Sequence, residues 1–169
     1  MAAQTAFSLP SEITDEEYIY LPSDKEDFEK ITHRIGGKWM VYNTGDLNQQ
    51  DKFWQALFPL YHKRLILGLK ASTAKGTKAQ AELYRKDHII LCYTEDSDDK
   101  MWMKNTADAI RAATGFRDIM YYKSNAASID GLYNHKEHIN VSKYMHTYKG
   151  KLFERVKFDR FKIITFGDV

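Results

Sequence analysis

The stretch Leu69-Lys70-Ala71-Ser72-Thr73-Ala74-Lys75-Gly76-Thr77-Lys78 sets three ammonium groups and three hydroxyls just past an apolar alternation. Lysines supply point charge and Ser/Thr hydroxyls supply directional donors, so such a segment has the chemistry to surround a phosphate. It is not a Walker loop, because the Gly-x4-Gly-Lys-Ser/Thr spacing is absent. The expected ligand-binding residues here are Lys70, Ser72, Thr73, Lys75 and Lys78; the plain alternative is a solvated loop. Met120-Tyr121-Tyr122-Lys123-Ser124 ends a second apolar run with two rings and a cation. Tyr122 would stack on or orient a ligand, and Lys123 would add charge if it faced the same way as Lys70 on a neighbouring strand. The alternative is one core tyrosine and one exposed lysine.

Asn134-His135-Lys136-Glu137-His138 places two imidazoles three residues apart. Without a third ligand at metal-site spacing this pattern implies no metal. His135 or His138 could instead act as an acid beside a desolvated Lys70 acting as base, which is the enzymatic alternative. Catalysis is not the leading expectation. No cofactor pattern is present, so none is expected. Cys92 stands inside an apolar run and reads as a small core residue, and a lone cysteine excludes an internal disulfide framework. Trp39, Trp54 and Trp102 fall at apolar positions of regular elements and read as core.

These groups sit in a chain of 169 residues, 43% apolar and 28% charged, which suits one folded domain and excludes general disorder. Three prolines and nine glycines exclude collagen-like and linker-dominated chains. Apolar runs of a few residues, such as Ile89 to Tyr93, are too short to cross a bilayer. No Sec signal is legible in the first residues, so a cytoplasmic location is expected. The net charge of +2 hides an asymmetry: residues 1–30 carry eight acids against two lysines, leaving +8 for the remainder. A basic body with an acidic arm points to an anionic ligand, with the arm free to compete for the same surface or to contact a protein partner.

Residues 1–23 lack a sustained period and read as an acidic, partly extended N-terminal arm, with Tyr18, Tyr20 and Leu21 tucked onto the body. Asp24 caps a short helix carrying Phe28, Ile31 and Ile35, which Gly36-Gly37 ends. Lys38–Tyr42 alternates as a strand. The turn Thr44-Gly45-Asp46 caps a second helix with the stripe Trp54, Leu57, Phe58, Tyr61, and Pro59 should kink or end it near Phe58. Strands follow at 64–72 and 83–94, then a helix at 97–114 capped by Ser97 or Asp96 and closed by Gly115. A strand at 118–123, a polar segment at 124–142 and one or two closing strands at 152–166 complete the chain. Helices are too few for a doubly wound parallel sheet. The expected fold is α+β, a curved, mainly antiparallel sheet with helices packed on one face, forming a single domain over 24–169.

From Gly36 onward the chain resembles the mRNA-cap-binding translation initiation factors of the 4E type. Gly36-Gly37-Lys38-Trp39-Met40 is similar to their Gly-Gly-Arg-Trp-Leu strand start, and Asp51-Lys52-Phe53-Trp54 to the Asp-Arg-Phe-Trp of the following helix. Asp87–Thr94 resembles their Asp-Lys-Ile-Ala-Ile-Trp-Thr strand. A nearer likeness is to the small Bles-type family sharing that fold. Leu69–Lys75 is similar to its Ala-Lys-Val-Ser-Thr-Ala-Lys motif, and Tyr121–Ser124 to its Tyr-Tyr-Lys-Thr. The resemblance implies a basic, phosphate-contacting strand and loop at Lys70–Lys75. It also implies two tryptophans sandwiching a methylated base; residues 1–35 hold none, and Tyr18 or Tyr20 is the ring that could replace one.

The sequence therefore leads to a binding protein for a phosphorylated ligand (a nucleotide, an RNA end or a phosphorylated residue) in a basic pocket on the concave sheet face. The alternatives are an enzyme acting on such a ligand and a protein-interaction module, with no membrane partner.

Overall fold

The computed structural model describes residues 8–43, 46–76, 88–95, 98–124, 142–157 and 160–166. Its frame is an eight-stranded, curved and unclosed antiparallel sheet. The strands are β1 (Tyr18–Leu21), β2 (Gly37–Asn43), β3 (Gly68–Ser72), β4 (His88–Thr94), β5 (Met120–Ser124), β6 (Tyr144–His146), β7 (Leu152–Lys157) and β8 (Arg160–Ile163). Their spatial order is β1-β3-β4-β2-β5-β6-β7-β8. The helices are α1 (Lys25–Thr32), α2 (Leu47–Ala56), α3 (Phe58–His62) and α4 (Lys100–Thr114), with a 3-10 turn at Pro10–Glu12. No helix among the described residues is long and apolar enough to cross a membrane.

Strand alternation divides the side chains between two faces. Ile19, Trp39, Val41, Leu69, Ala71, Ile90, Cys92, Met120 and Tyr122 point to one face and pack with Trp54, Leu57, Met103, Ala107 and Ile110 of the helices in a single core. Trp39 is fully buried there, its Nε1–H donating to Thr106 Oγ1 at 3.1 Å. Asp24 and Asp46 cap α1 and α2 as expected, accepting from the backbone N–H of Asp27 and Gln49. Leu57 interrupts the second helical stripe, and Pro59 lies in the first turn of α3, where its missing N–H costs nothing. Gly115, at φ +74°, ends α4.

Several boundaries differ from the periodic reading. Residues 8–23 are largely extended but belong to the body: β1 is an edge strand of the sheet, and Ile13, Ile19 and Leu21 enter the core. The cap of α4 is Asp99, accepting from Trp102 N–H, rather than Ser97 or Asp96, which lie outside the described residues. The three-residue strand β6 is too short to show a period. A buried polar lock holds it to α4: Arg111 Nε–H donates to His146 Nδ1 at 2.8 Å and Nη2 donates to His146 O. Nδ1 is thereby an acceptor, so Nε2 carries the proton and donates to Asp108 Oδ1 at 2.8 Å. Burial holds the imidazole neutral, its pKa down at about 4.

Gly37 is the tightest sheet contact bearing on the site, since it sets β2 against β5. A Cβ there would lie 2.3 Å from Lys123 O and 2.9 Å from Ser124 Cα. Because both obstacles are backbone, Gly37→Ala should destabilise the domain by about 3 kcal/mol in urea unfolding. An unchanged midpoint would show that β5 can withdraw from β2 without cost.

Candidate ligand-binding cleft

The face of the sheet turned away from α2 and α4 is covered at one end by α1. Phe28 of α1 lies on Tyr20 and Tyr93, with ring centroids 5.0 and 5.2 Å apart. Gly68 makes room for the helix, since a Cβ there would meet Thr32 Cγ2 at 3.0 Å and Phe28 at 3.2 Å. Beneath and beside α1 opens a cleft of about 610 Å³.

The ladder register decides which side chains reach it. Directly paired residues of an antiparallel ladder share a face. Tyr20 pairs with Lys70, Lys70 with Leu91, and Lys38 with Tyr93, so β1, β3, β4 and β2 all point polar or aromatic groups into one space. Lys70 Nζ stands 4.2 Å from the Tyr18 ring centroid and 5.9 Å from that of Tyr20. Lys38 Nζ lies 5.3 Å from the Tyr93 centroid. Both lysines are half-buried, and among the described residues neither ammonium makes an ion pair or a hydrogen bond. Their neighbours are ring faces, which favour a cation but leave its N–H donors unused.

The electrostatics follow from that burial. Desolvation, helped by the charge of Lys70, pulls the Lys38 pKa down to about 8. Desolvation and then Lys25 also lower that of Lys70, against a partial pull upward from Glu29 and Glu17. The carboxylates of Glu16, Glu17 and Glu29 line the exposed rim, with Glu29 4.0 Å from Lys25 Nζ. An anion entering the cleft would give both inner ammonium groups the acceptor they lack, and charged hydrogen bonds of that kind each contribute about 1.5–3 kcal/mol.

The wall beside Lys70 is made by the N-terminal segment. Thr73 N–H donates to Glu17 O, Lys75 N–H to Ile13 O, and Thr73 Oγ1–H to Glu16 O. Gly76 sits so close that a Cβ would fall 2.0 Å from Glu17 O. Residues 73–76 are thus strapped to residues 13–17, and the acidic residues Glu16 and Glu17 are held at the cleft mouth.

Of the residues singled out from sequence, Lys70 is inside the cleft. Lys75 lines its rim with Nζ donating to Asp15 O at 3.2 Å. Ser72 and Thr73 are fully buried and hold the chain rather than a ligand. Ser72 Oγ accepts from Ile89 N–H at 3.0 Å and from Gln50 Nε2, while Thr73 Oγ1 also accepts from Gly76 N–H. Tyr122 is corrected as well. It points into the core, 5.1 Å from the Trp39 ring, and its hydroxyl bonds Thr94, so it has no free face to stack on. Lys123 pairs with Lys38 and shares its facing, but β2 and β4 separate it from Lys70, and it is 2% exposed. Lys78, His135 and His138 lie outside the described residues. Sequence reading missed Lys38 and Tyr93; the available signal was their alternation with Trp39 and Cys92.

Neither a family model nor a curated protein matches the chain. Among solved structures it is similar to a schistosome eIF4E complexed with m7GpppA and 4E-BP, at 15% identity and a TM-score of 0.58, covering 83% of this chain and 75% of the other. A schistosome eIF4E complexed with m7GpppG and 4E-BP matches at 17% identity and a TM-score of 0.51, covering 73% and 68%. The α+β sheet architecture is therefore of the eIF4E type.

Unpaired buried charge has a measurable cost. The Lys38 ammonium is disfavoured in the fold, so the unfolded chain holds more protons between pH 8 and 10.5, and this group adds stability as pH rises through that window. Lys38→Met should stabilise the ligand-free protein at pH 7 by about 1–3 kcal/mol and flatten that rise. Destabilisation by Lys38→Met, with the pH slope unchanged, would show that the ammonium is already satisfied.

Proposed function

We propose that the cleft binds a phosphorylated ligand, a nucleotide or an RNA end. The observation that carries this reading is the pair of half-buried ammonium groups, Lys38 and Lys70, facing one cavity against ring faces, with no ion pair to either among the described residues. Lysines desolvated in this way raise the energy of the empty fold, and a phosphate chain reaching both would remove that cost. Tyr18 and Tyr20 supply ring surface next to the charges, which suits a base attached to the phosphates. The two schistosome structures were solved with cap dinucleotides, and the shared fold supports a nucleotide end here. The nearer Bles-type likeness rests on Leu69–Lys75 and Tyr121–Ser124 and belongs to the same reading, as does a cytoplasmic location.

A thermal-shift titration against phosphate, pyrophosphate, mono- to triphosphate nucleotides, a cap analogue and a phosphothreonine peptide tests this. Saturation at a hundred times the dissociation constant should stabilise the protein by about 2.7 kcal/mol. Triphosphates should exceed monophosphates, and Lys38→Met and Lys70→Met should each abolish the shift. A flat panel, or a shift surviving both substitutions, overturns the proposal. A flat panel would also turn attention to the exposed acidic residues Glu12, Asp15, Glu16 and Glu17 as a protein-contact surface.

A further inference from the structure

An amine that is half-buried, unpaired and open to a cavity is the setting in which a lysine becomes a nucleophile rather than a charge. Lys38 meets each condition. It lines the cleft, it rests against the Tyr93 ring, and among the described residues no carboxylate or carbonyl holds its Nζ. On the neighbouring strands of the sheet it meets Lys70 from β3, Tyr93 from β4 and, directly opposite in the ladder, Lys123 from β5, while Glu16 and Glu17 stand at the rim of the cleft. From α1, Lys25, Glu29 and His33 line the same cleft.

We propose that Lys38 is a covalent site, an amine that forms a reversible imine with an aldehyde or ketone bearing a phosphate or carboxylate, the anionic group being held by Lys70. The Lys70 half of this statement rests on the anion-binding reading above. The step is balanced without any oxidant. The unprotonated Nζ attacks the carbonyl carbon, the C–N bond forms, and the carbonyl oxygen takes a proton. The resulting carbinolamine then loses its hydroxyl as water together with the nitrogen proton, leaving C=N. The product nitrogen remains cationic when protonated, and the Tyr93 face that suits the ammonium suits the iminium equally.

Chemistry at neutral pH favours this lysine over exposed ones. Lowering its pKa from 10.5 to about 8 raises the reactive, unprotonated fraction at pH 7 by roughly two orders of magnitude. Part of that gain is offset by the weaker nucleophilicity of a less basic amine, and a net preference of about tenfold is expected.

The test treats the full chain with pyridoxal 5′-phosphate or with pyridoxal, reduces the imine with borohydride, and maps adducts by peptide mass spectrometry. Lys38 should be modified first, about tenfold faster than exposed Lys30 and Lys63. Adducts spread over surface lysines with Lys38 no faster would overturn the inference. Lys38→Arg should remove the visible imine band, and if that variant fails to fold, the site map on the natural chain decides alone. Lys70→Met and added pyrophosphate should each slow the phosphate-bearing probe and spare pyridoxal. Equal, unprotected labelling of Lys38 by both probes would support the nucleophile and count against anion binding. Pyrophosphate binding with no Lys38 adduct would do the reverse.

Discussion

Two ammonium groups on one face of a sheet, with no ion pair to either among the described residues, set the terms for the rest of this molecule. Lys38 and Lys70 are carried by β2 and β3, with β4 between them, and the antiparallel register leaves both facing the side that α1 covers. Desolvating even one such charge costs several kcal/mol in a low-dielectric site. The fold tolerates this because the opposite face carries a continuous core around Trp39, Trp54, Leu69 and Ile90. It also places tyrosine rings where counter-ions would normally stand, so the cost is reduced without the donors being consumed. On the reading proposed above, an anion would supply the acceptor that both groups lack.

The surrounding elements serve that arrangement. Helix α1 covers the cleft through one contact set, Phe28 on Tyr20 and Tyr93, and depends on Gly68 having no side chain. The segment Ile13–Glu17 supplies backbone carbonyls to Thr73 and Lys75, which rigidifies the turn after β3 and brings acidic side chains to the rim. The acidic arm anticipated from the charge asymmetry is thus a wall of the cleft. If the cleft takes an anion as proposed, the carboxylates at the mouth would disfavour short anions and the inner lysines would favour a ligand long enough to pass them.

Much of the architecture was legible in the sequence because it rests on local rules. The caps at Asp24 and Asp46, the break at Pro59 and the Gly115 stop each follow from one residue type at one position, and the antiparallel α+β class follows from the order and number of helices and strands. Charge clustering, which needs no knowledge of the fold, singled out Lys70, and the structure places it in the cleft lining. What failed depended on parity and partners. Tyr121 and Tyr122 alternate, so one of them had to enter the core, and only the pairing of Trp39 with Tyr122 decides which. Ser72 and Thr73 looked like ligand donors because nothing local reveals that Gln50, Ile89 and Glu16 claim their hydroxyls. Lys38 was hidden inside an apolar strand, and its exposure to a cavity depends on where a helix ten residues earlier comes to rest.

The most direct test of the central claim is the titration of the lysine side chains themselves, followed by NMR on protein with labelled amines. The account predicts that Lys38 titrates near pH 8 in the free protein, well below the ordinary 10.5. It also predicts that Lys38 and Lys70 both move upward when pyrophosphate is added, because the anion restores the preference for charge. Ordinary pKa values in the free protein, or depressed values that pyrophosphate leaves unmoved, would contradict it.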